Sequence, residues 1–139
     1  MSFLWKSMVV FAAAGLLSGC GENSDRSRVH GKVTLDGRPL PAAVITFTPA
    51  SETKGPLVGG QIENGSYSLK GNSGPLPGSY HVLISQSTET GEMFTPFPGE
   101  APTQRMEESI PDRYNSKTIL QVDIEKGSNE HNFELTTSK

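Results

Sequence analysis

The chain carries one thiol, Cys20, three imidazoles, His30, His81 and His131, and many serines. Each of these does chemistry only in company. A nucleophile needs an adjacent base, and a metal ion needs several ligands at fixed spacing. Cys20 closes an apolar run instead of lying beside a histidine, and no serine sits in a Gly-x-Ser-x-Gly elbow. The histidines fall in three separate strand-like stretches, without a His-Glu-x-x-His pair or a second Cys to join them. His30 and His81 alternate with core-type residues and read as parts of a solvated sheet face. His131 shares parity with Phe133 and reads as a cap on the core edge. Glu107, Glu108 and Asp112 lack the ligand spacing of a calcium loop and read as solvated surface. These positions do not make a catalytic constellation. We expect no enzyme activity, no cofactor and no metal.

Cys20 has a different chemistry in view. One positive charge, Lys6, precedes an apolar run from Met8 to Leu17, and the chain turns polar directly after Cys20. A charged start, a short apolar middle and small residues at the cut describe a secretory signal peptide. The run holds ten residues, where a membrane-spanning helix needs about 20. Leu17-Ser18-Gly19-Cys20 resembles the lipobox of bacterial lipoproteins. That resemblance implies acylation of the Cys20 sulfur, cleavage before Cys20, and a palmitate-type lipid anchor on residue 20. Residues 1–19 are then the signal peptide and 20–27 a lipidated polar tether. Gly21 is not the aspartate that retains some lipoproteins in the inner membrane, which favours the outer membrane.

Cleavage there leaves 120 of the 139 residues, and loss of Lys6 takes the net charge from −3 to −4. A mildly acidic chain without a basic face is not a nucleic-acid binder. With Cys20 acylated, no disulfide staples the domain, so its core alone must hold it. Fifteen Gly and ten Pro suit short strands joined by tight turns. Val29, Val33 and Leu35 alternate with polar residues up to an Asp36-Gly37 turn. Ala43, Ile45 and Phe47 do so before Pro49. A weaker strand over 57–62, with a bulge or close packing at Gly59-Gly60, leads to Asn64-Gly65. That pair is a strong hairpin signal, because both central residues need positive φ. Tyr67 and Leu69 follow, then Tyr80, Val82 and Ile84, then Leu120, Val122 and Ile124. A turn at Gly127-Ser128-Asn129 precedes Phe133 and Leu135. About seven short strands without a helix argue for a β-sandwich over 28–139.

Val29-His30-Gly31-Lys32-Val33-Thr34-Leu35-Asp36-Gly37-Arg38-Pro39-Leu40 and Ala43-Val44-Ile45-Thr46-Phe47 resemble the carboxypeptidase regulatory-like domain. So do Asn64-Gly65-Ser66-Tyr67-Ser68-Leu69 and Pro77-Gly78-Ser79-Tyr80-His81-Val82. The resemblance implies an all-β, seven-stranded, transthyretin-like (prealbumin-like) sandwich. Ile110-Pro111-Asp112-Arg113-Tyr114-Asn115 resembles a segment of small bacterial lipoproteins that carry this domain. Related hydroxyisourate hydrolases end in Tyr-Arg-Gly-Ser, whereas this chain ends Thr136-Thr137-Ser138-Lys139. The expected role is a non-catalytic, lipid-anchored module of the cell envelope that binds an envelope protein or polymer. The alternatives are a small-ligand carrier of transthyretin type, or a hydrolase. Lys32 and Asn132 are placed like the partners of an intramolecular isopeptide bond, but their parity points both outward.

Residues 87–117 show no sustained period and contain Pro96, Pro98, Pro102 and Pro111. Loops beyond about 12–15 residues are usually functional or disordered. This one holds Met93, Phe94, Phe97, Met106, Ile110 and Tyr114. Ile110 and Tyr114, next to the sixth strand, suit core cover. Met93, Phe94 and Phe97 are the candidate binding residues.

The lipid anchor has a direct test. Cys20→Ala removes the acylation site, and stable anchoring requires acyl chains contributing about 0.8 kcal/mol per buried methylene. The variant is expected to leave the detergent phase or to stay uncleaved. A fully processed variant that still partitions into detergent contradicts the lipobox reading.

Overall fold

The computed structural model describes residues 25–139. Cys20 and the signal segment lie outside the described residues. Eleven strands follow in order: β1 (Arg28–Leu35), β2 (Arg38–Pro39), β3 (Ala42–Pro49), β4 (Val58–Glu63), β5 (Ser66–Leu69), β6 (Gly78–Ser85), β7 (Ser87–Phe94), β8 (Thr103–Glu108), β9 (Gln121–Ile124), β10 (Ser128–Glu130) and β11 (Phe133–Leu135). Two single turns of 3-10 helix, Gly71–Ser73 and Asp112–Tyr114, are the only helical segments among the described residues.

The alternation read from the sequence is the alternation of burial. Val29, Val33, Ala43, Ile45, Phe47, Tyr67, Leu69, Tyr80, Val82 and Ile84 are all buried, joined by Ile124, Phe133 and Leu135. Their strand neighbours Lys32, Val44, Ser68 and His81 are exposed. Asp36 (φ 51°) and Gly37 (φ 79°) form one two-residue turn, and Asn64 (φ 48°) and Gly65 (φ 75°) form the other. Successive positive φ values are what a type I′ hairpin turn requires. Each turn fixes a register, Leu35 opposite Arg38 and Glu63 opposite Ser66.

Nine of the strands make one curled sheet in the order β10-β1-β5-β4-β3-β6-β9, with β2 and β11 also paired to β1. From β1 through β5, β4, β3, β6 to β9, every neighbour is antiparallel. The curled face encloses the core, where Phe47 meets Tyr67 and Tyr80 at ring-centroid distances of 6.1 and 6.4 Å. Gly59-Gly60 proves to be close packing and not a bulge, since β3 and β4 pair without interruption. A Cβ on Gly59 would lie 2.7 Å from the Ile45 carbonyl oxygen, and one on Gly60 would lie 2.5 Å from Leu69 Cδ2.

The last strands close the sheet in parallel with β1. Arg28 to His30 pair with Ser128 to Glu130, and Val33 to Leu35 pair with Phe133 to Leu135, at one constant offset. Between them the ladder is modified. A regular parallel ladder would present the His131 carbonyl to the Lys32 N–H. Instead that carbonyl turns over Gly31 and accepts from Tyr67 Oη at 2.7 Å. Asn132 Oδ1 takes the Lys32 N–H at 2.7 Å in its place. A Cβ on Gly31 would overlap the His131 carbonyl oxygen, so only glycine fits.

Three expectations need correction. The segment read as lacking any strand contains β7 and β8, which pair only with each other. Both are fully exposed, so no buried face imprints a period on the sequence. The turn at 127–129 is shorter than expected, because Ser128 and Asn129 already belong to β10. The folded body also reaches back into the expected tether. Ser27 is buried and donates its N–H to the Pro75 carbonyl at 2.7 Å, and Arg26 reaches the Gly74 carbonyl at 2.8 Å.

Two glycine variants separate close approach from backbone strain. Gly31→Ala forces a methyl group into the His131 carbonyl and is expected to cost about 3 kcal/mol. Gly37→Ala, with open space around its Cβ, meets only the left-handed strain and is expected to cost about 1 kcal/mol. Urea unfolding midpoints measure both, and equal losses would contradict the closure described here.

Candidate interaction surface

β7 and β8 form a two-stranded ribbon that leaves the body where β6 ends. Polar groups clamp its base. Ser109 donates its N–H to the Gln86 carbonyl at 2.9 Å, and Glu108 Oε1 accepts from the Gln86 and Ile110 N–H groups at 2.9 Å each. Gln86 Nε2 donates to the Ala42 carbonyl at 2.6 Å, tying the base to β3. Past the clamp, Ile110 and Tyr114 enter the core and are buried. The apolar content of 88–116 is therefore divided. Its C-terminal members cover the core, and the rest stand on the ribbon.

The ribbon distributes its apolar groups over two faces and a tip. Glu89 pairs with Met106 and Met93 with Gln104, so Thr90, Gly91 and Glu92 all face the single residue Arg105. Gly91, at φ +81°, supplies the left-handed conformation of this bulge. Met93 and Met106 consequently share one face. Phe94, opposite Thr103, lies on the other, with the Arg105 guanidinium 5.1 Å from its ring centroid. Arg105 also pairs with Glu92 at 3.1 Å. Phe97 sits at the tip, where the Glu100 N–H returns to the Phe97 carbonyl at 3.1 Å and Gly99 adopts φ +94°. Pro98 followed by glycine at positive φ is the signature of a type II turn. Met93 is 58% exposed, Phe97 66%, Met106 53% and Phe94 38%. The sequence reading grouped Met93, Phe94 and Phe97. The pleat separates them, and Met106 joins Met93.

The ribbon is also where the charge lies. Glu89, Glu92, Glu100, Glu107 and Glu108 face one cation, Arg105, a balance of −4 for residues 87–108 in a chain whose total is −3. The rest of the molecule is therefore close to neutral, at +1.

The other candidate residues are dispersed. His81 is exposed on the outer sheet face, while His30 and His131 are half-buried at the β1–β10 seam. Among the described residues no three His, Cys, Asp or Glu side chains group as metal ligands. His30 Nδ1 and His131 Nε2 are buried atoms without a partner there. Burial, and secondarily Glu130, pushes the Tyr67 hydroxyl well above its usual range, so it stays a proton donor to His131. Lys32 and Asn132 both lie outside the core, as their parity required. A third polar group ties down the C-terminus. Asp36 accepts the Thr137 N–H at 2.9 Å and the Thr137 hydroxyl at 2.7 Å, which hold its carboxyl below the usual range. Arg113 bonds the Thr136 and Ser138 carbonyls, and the Tyr114 hydroxyl accepts the Thr136 N–H at 3.2 Å. This clasp is structural. Each oxygen of its carboxylate accepts one bond from Thr137.

No family model, curated protein or solved structure matches this chain.

The division of the 88–116 segment predicts unequal stability effects. Ile110→Ala opens a cavity in the core and is expected to cost about 2–4 kcal/mol. Phe97→Ser changes an exposed tip and is expected to stay within about 0.5 kcal/mol of the parent. Thermal or urea melts distinguish them, and a large loss for Phe97→Ser would mean that the ribbon lies against the body.

Proposed function

We propose that this chain is a lipid-anchored protein of the bacterial cell envelope, built on a transthyretin-like, carboxypeptidase regulatory-like body. In this reading Cys20 carries the lipid, the body is a non-catalytic scaffold, and the ribbon is the binding element. The observation that carries it is the ribbon itself: two strands that bury nothing in their own protein yet hold Met93, Phe94, Phe97 and Met106. Met93 and Met106 share one face, Phe94 stands on the other and Phe97 on the tip, so the ribbon offers apolar contact area to a partner on every side. Aromatic and Met side chains, with arginine, are the types enriched at protein interfaces. Regular strands with tight I′ turns, a core on one curled face and the sequence motifs support the family reading. A carrier of transthyretin type would need an apolar cavity or a channel between copies. The interior here is occupied by the rings of Phe47, Tyr67, Tyr80 and Phe133.

The test is a double variant, Phe94→Ser with Phe97→Ser, in the full lipidated chain. Crosslinked complexes isolated from intact envelopes are expected to be lost at unchanged melting temperature. Retained complexes with lowered stability would make these residues core cover and would defeat the binding reading.

A further inference from the structure

We infer that the ribbon inserts Phe97 into an apolar pocket, rimmed by Lys and Arg, on a second envelope protein that lies away from this protein's own attachment point. The inference rests on the ribbon being the binding element and specifies what it binds.

Strand directions fix the first part. β1 and β6 are separated by β5, β4 and β3, each antiparallel to its neighbour, so β1 and β6 run in the same sense. The N-terminal segment enters where both strands begin, with Ser27 bonded to Pro75 and Gly74 beside it. The ribbon leaves where β6 ends, beside the Asn64-Gly65 turn end of the body, with Gln86 bonded to Ala42. Entry and ribbon therefore occupy opposite poles. At about 3.3 Å per residue, β6 alone separates them by about 26 Å, and the ribbon adds up to a similar reach. An N-terminal anchor thus holds the tip away from its own membrane.

The chemistry of the tip fixes the second part. Phe97 is the most exposed aromatic group on the ribbon and stands at the first position of a turn restrained by Pro98 and Gly99, with Pro96 and Pro102 on either side. An aromatic group held in place before binding loses little conformational freedom on entering a pocket. Glu100 lies within the tip and Glu92 on the strand leading to it, and the ribbon as a whole carries five carboxylates against one arginine. That charge is complementary to a basic rim. It repels a second copy of the same ribbon and an anionic lipid surface alike.

The experiment uses the full lipidated chain in its own envelopes. Phe97 and, in separate variants, Met93 and Phe94 are each replaced by the photocrosslinker p-benzoylphenylalanine, with Leu57, exposed on the other pole, as the control position. The expected adduct at 97 is one protein, mapped by mass spectrometry to an apolar site flanked by Lys or Arg, and absent at 57. Glu100→Lys, which leaves the Arg105–Glu92 pair in place, is expected to lower the yield several-fold at unchanged melting temperature, because the rim charges then repel. Adducts on lipid, on a second copy of this chain or on an acidic site overturn the inference, as does a yield indifferent to charge reversal. Adducts from positions 93 or 94 but not 97 also overturn it while leaving the ribbon as the binding element. Adducts from none of the three remove both.

Discussion

The closure of β10 and β11 on β1 depends on one carbonyl. His131 turns its C=O out of the ladder and over Gly31, where Tyr67 Oη receives it. A buried carbonyl without a donor would be costly, and so would a Tyr hydroxyl without an acceptor. The two satisfy each other, and Asn132 supplies the acceptor that Lys32 loses. Lys32 of β1, Tyr67 of β5, and His131 and Asn132 of the link between β10 and β11 thus hold a seam that regular pairing leaves open. Because β10 and β11 keep one offset across the seam, Phe133 and Leu135 arrive on the core face behind it. Phe133 then meets Tyr67 at 6.2 Å, so the residue that donates to His131 also packs its ring against the strand that follows.

That closure accounts for the contrast between the body and the ribbon. In the body, buried side chains and backbone pairing reinforce each other at nearly every strand. The ribbon has pairing alone. An isolated hairpin is only marginally stable in water, and the Arg105–Glu92 pair is exposed, adding at most about 1 kcal/mol. The Arg105–Phe94 contact adds a similar amount, about 0.5–1 kcal/mol. The polar clamp between Gln86, Glu108, Ser109 and Ala42 is therefore what holds the ribbon's base in register. The ribbon belongs to the low-stability end of the molecule, where binding elements are commonly found.

The sequence made the body legible because burial imposes period two. Strands β1, β3, β5, β6 and β11 each declare an inward face, and Asn64-Gly65 declares its turn type. It did not make the ribbon legible, because strands exposed on both faces have no reason to alternate. Nor did it reveal the parallel seam. Gly31 reads simply as a small residue of the right parity, and only the turned His131 carbonyl explains why a side chain is excluded there. The split of the candidate site has the same origin. Met93 and Phe94 are neighbours in sequence, but the pleat sends them to opposite faces, and the bulge at Gly91 sets which residues of β8 they join.

An exposed ribbon with two free edges is ordinarily an invitation to aggregate. Several features act against edge pairing here. The bulge at Gly91 interrupts the flat edge of β7, the proline-bearing tip ends both strands, and the carboxylates repel a like ribbon. Each could have been achieved with a polar ribbon alone. Phe97, two-thirds exposed at the most remote point of the element, is the feature that solubility would not keep. Charges that oppose pairing of the ribbon with its like, and an exposed aromatic group at its tip, are the two features from which the proposed partner surface, apolar with a basic rim, is drawn.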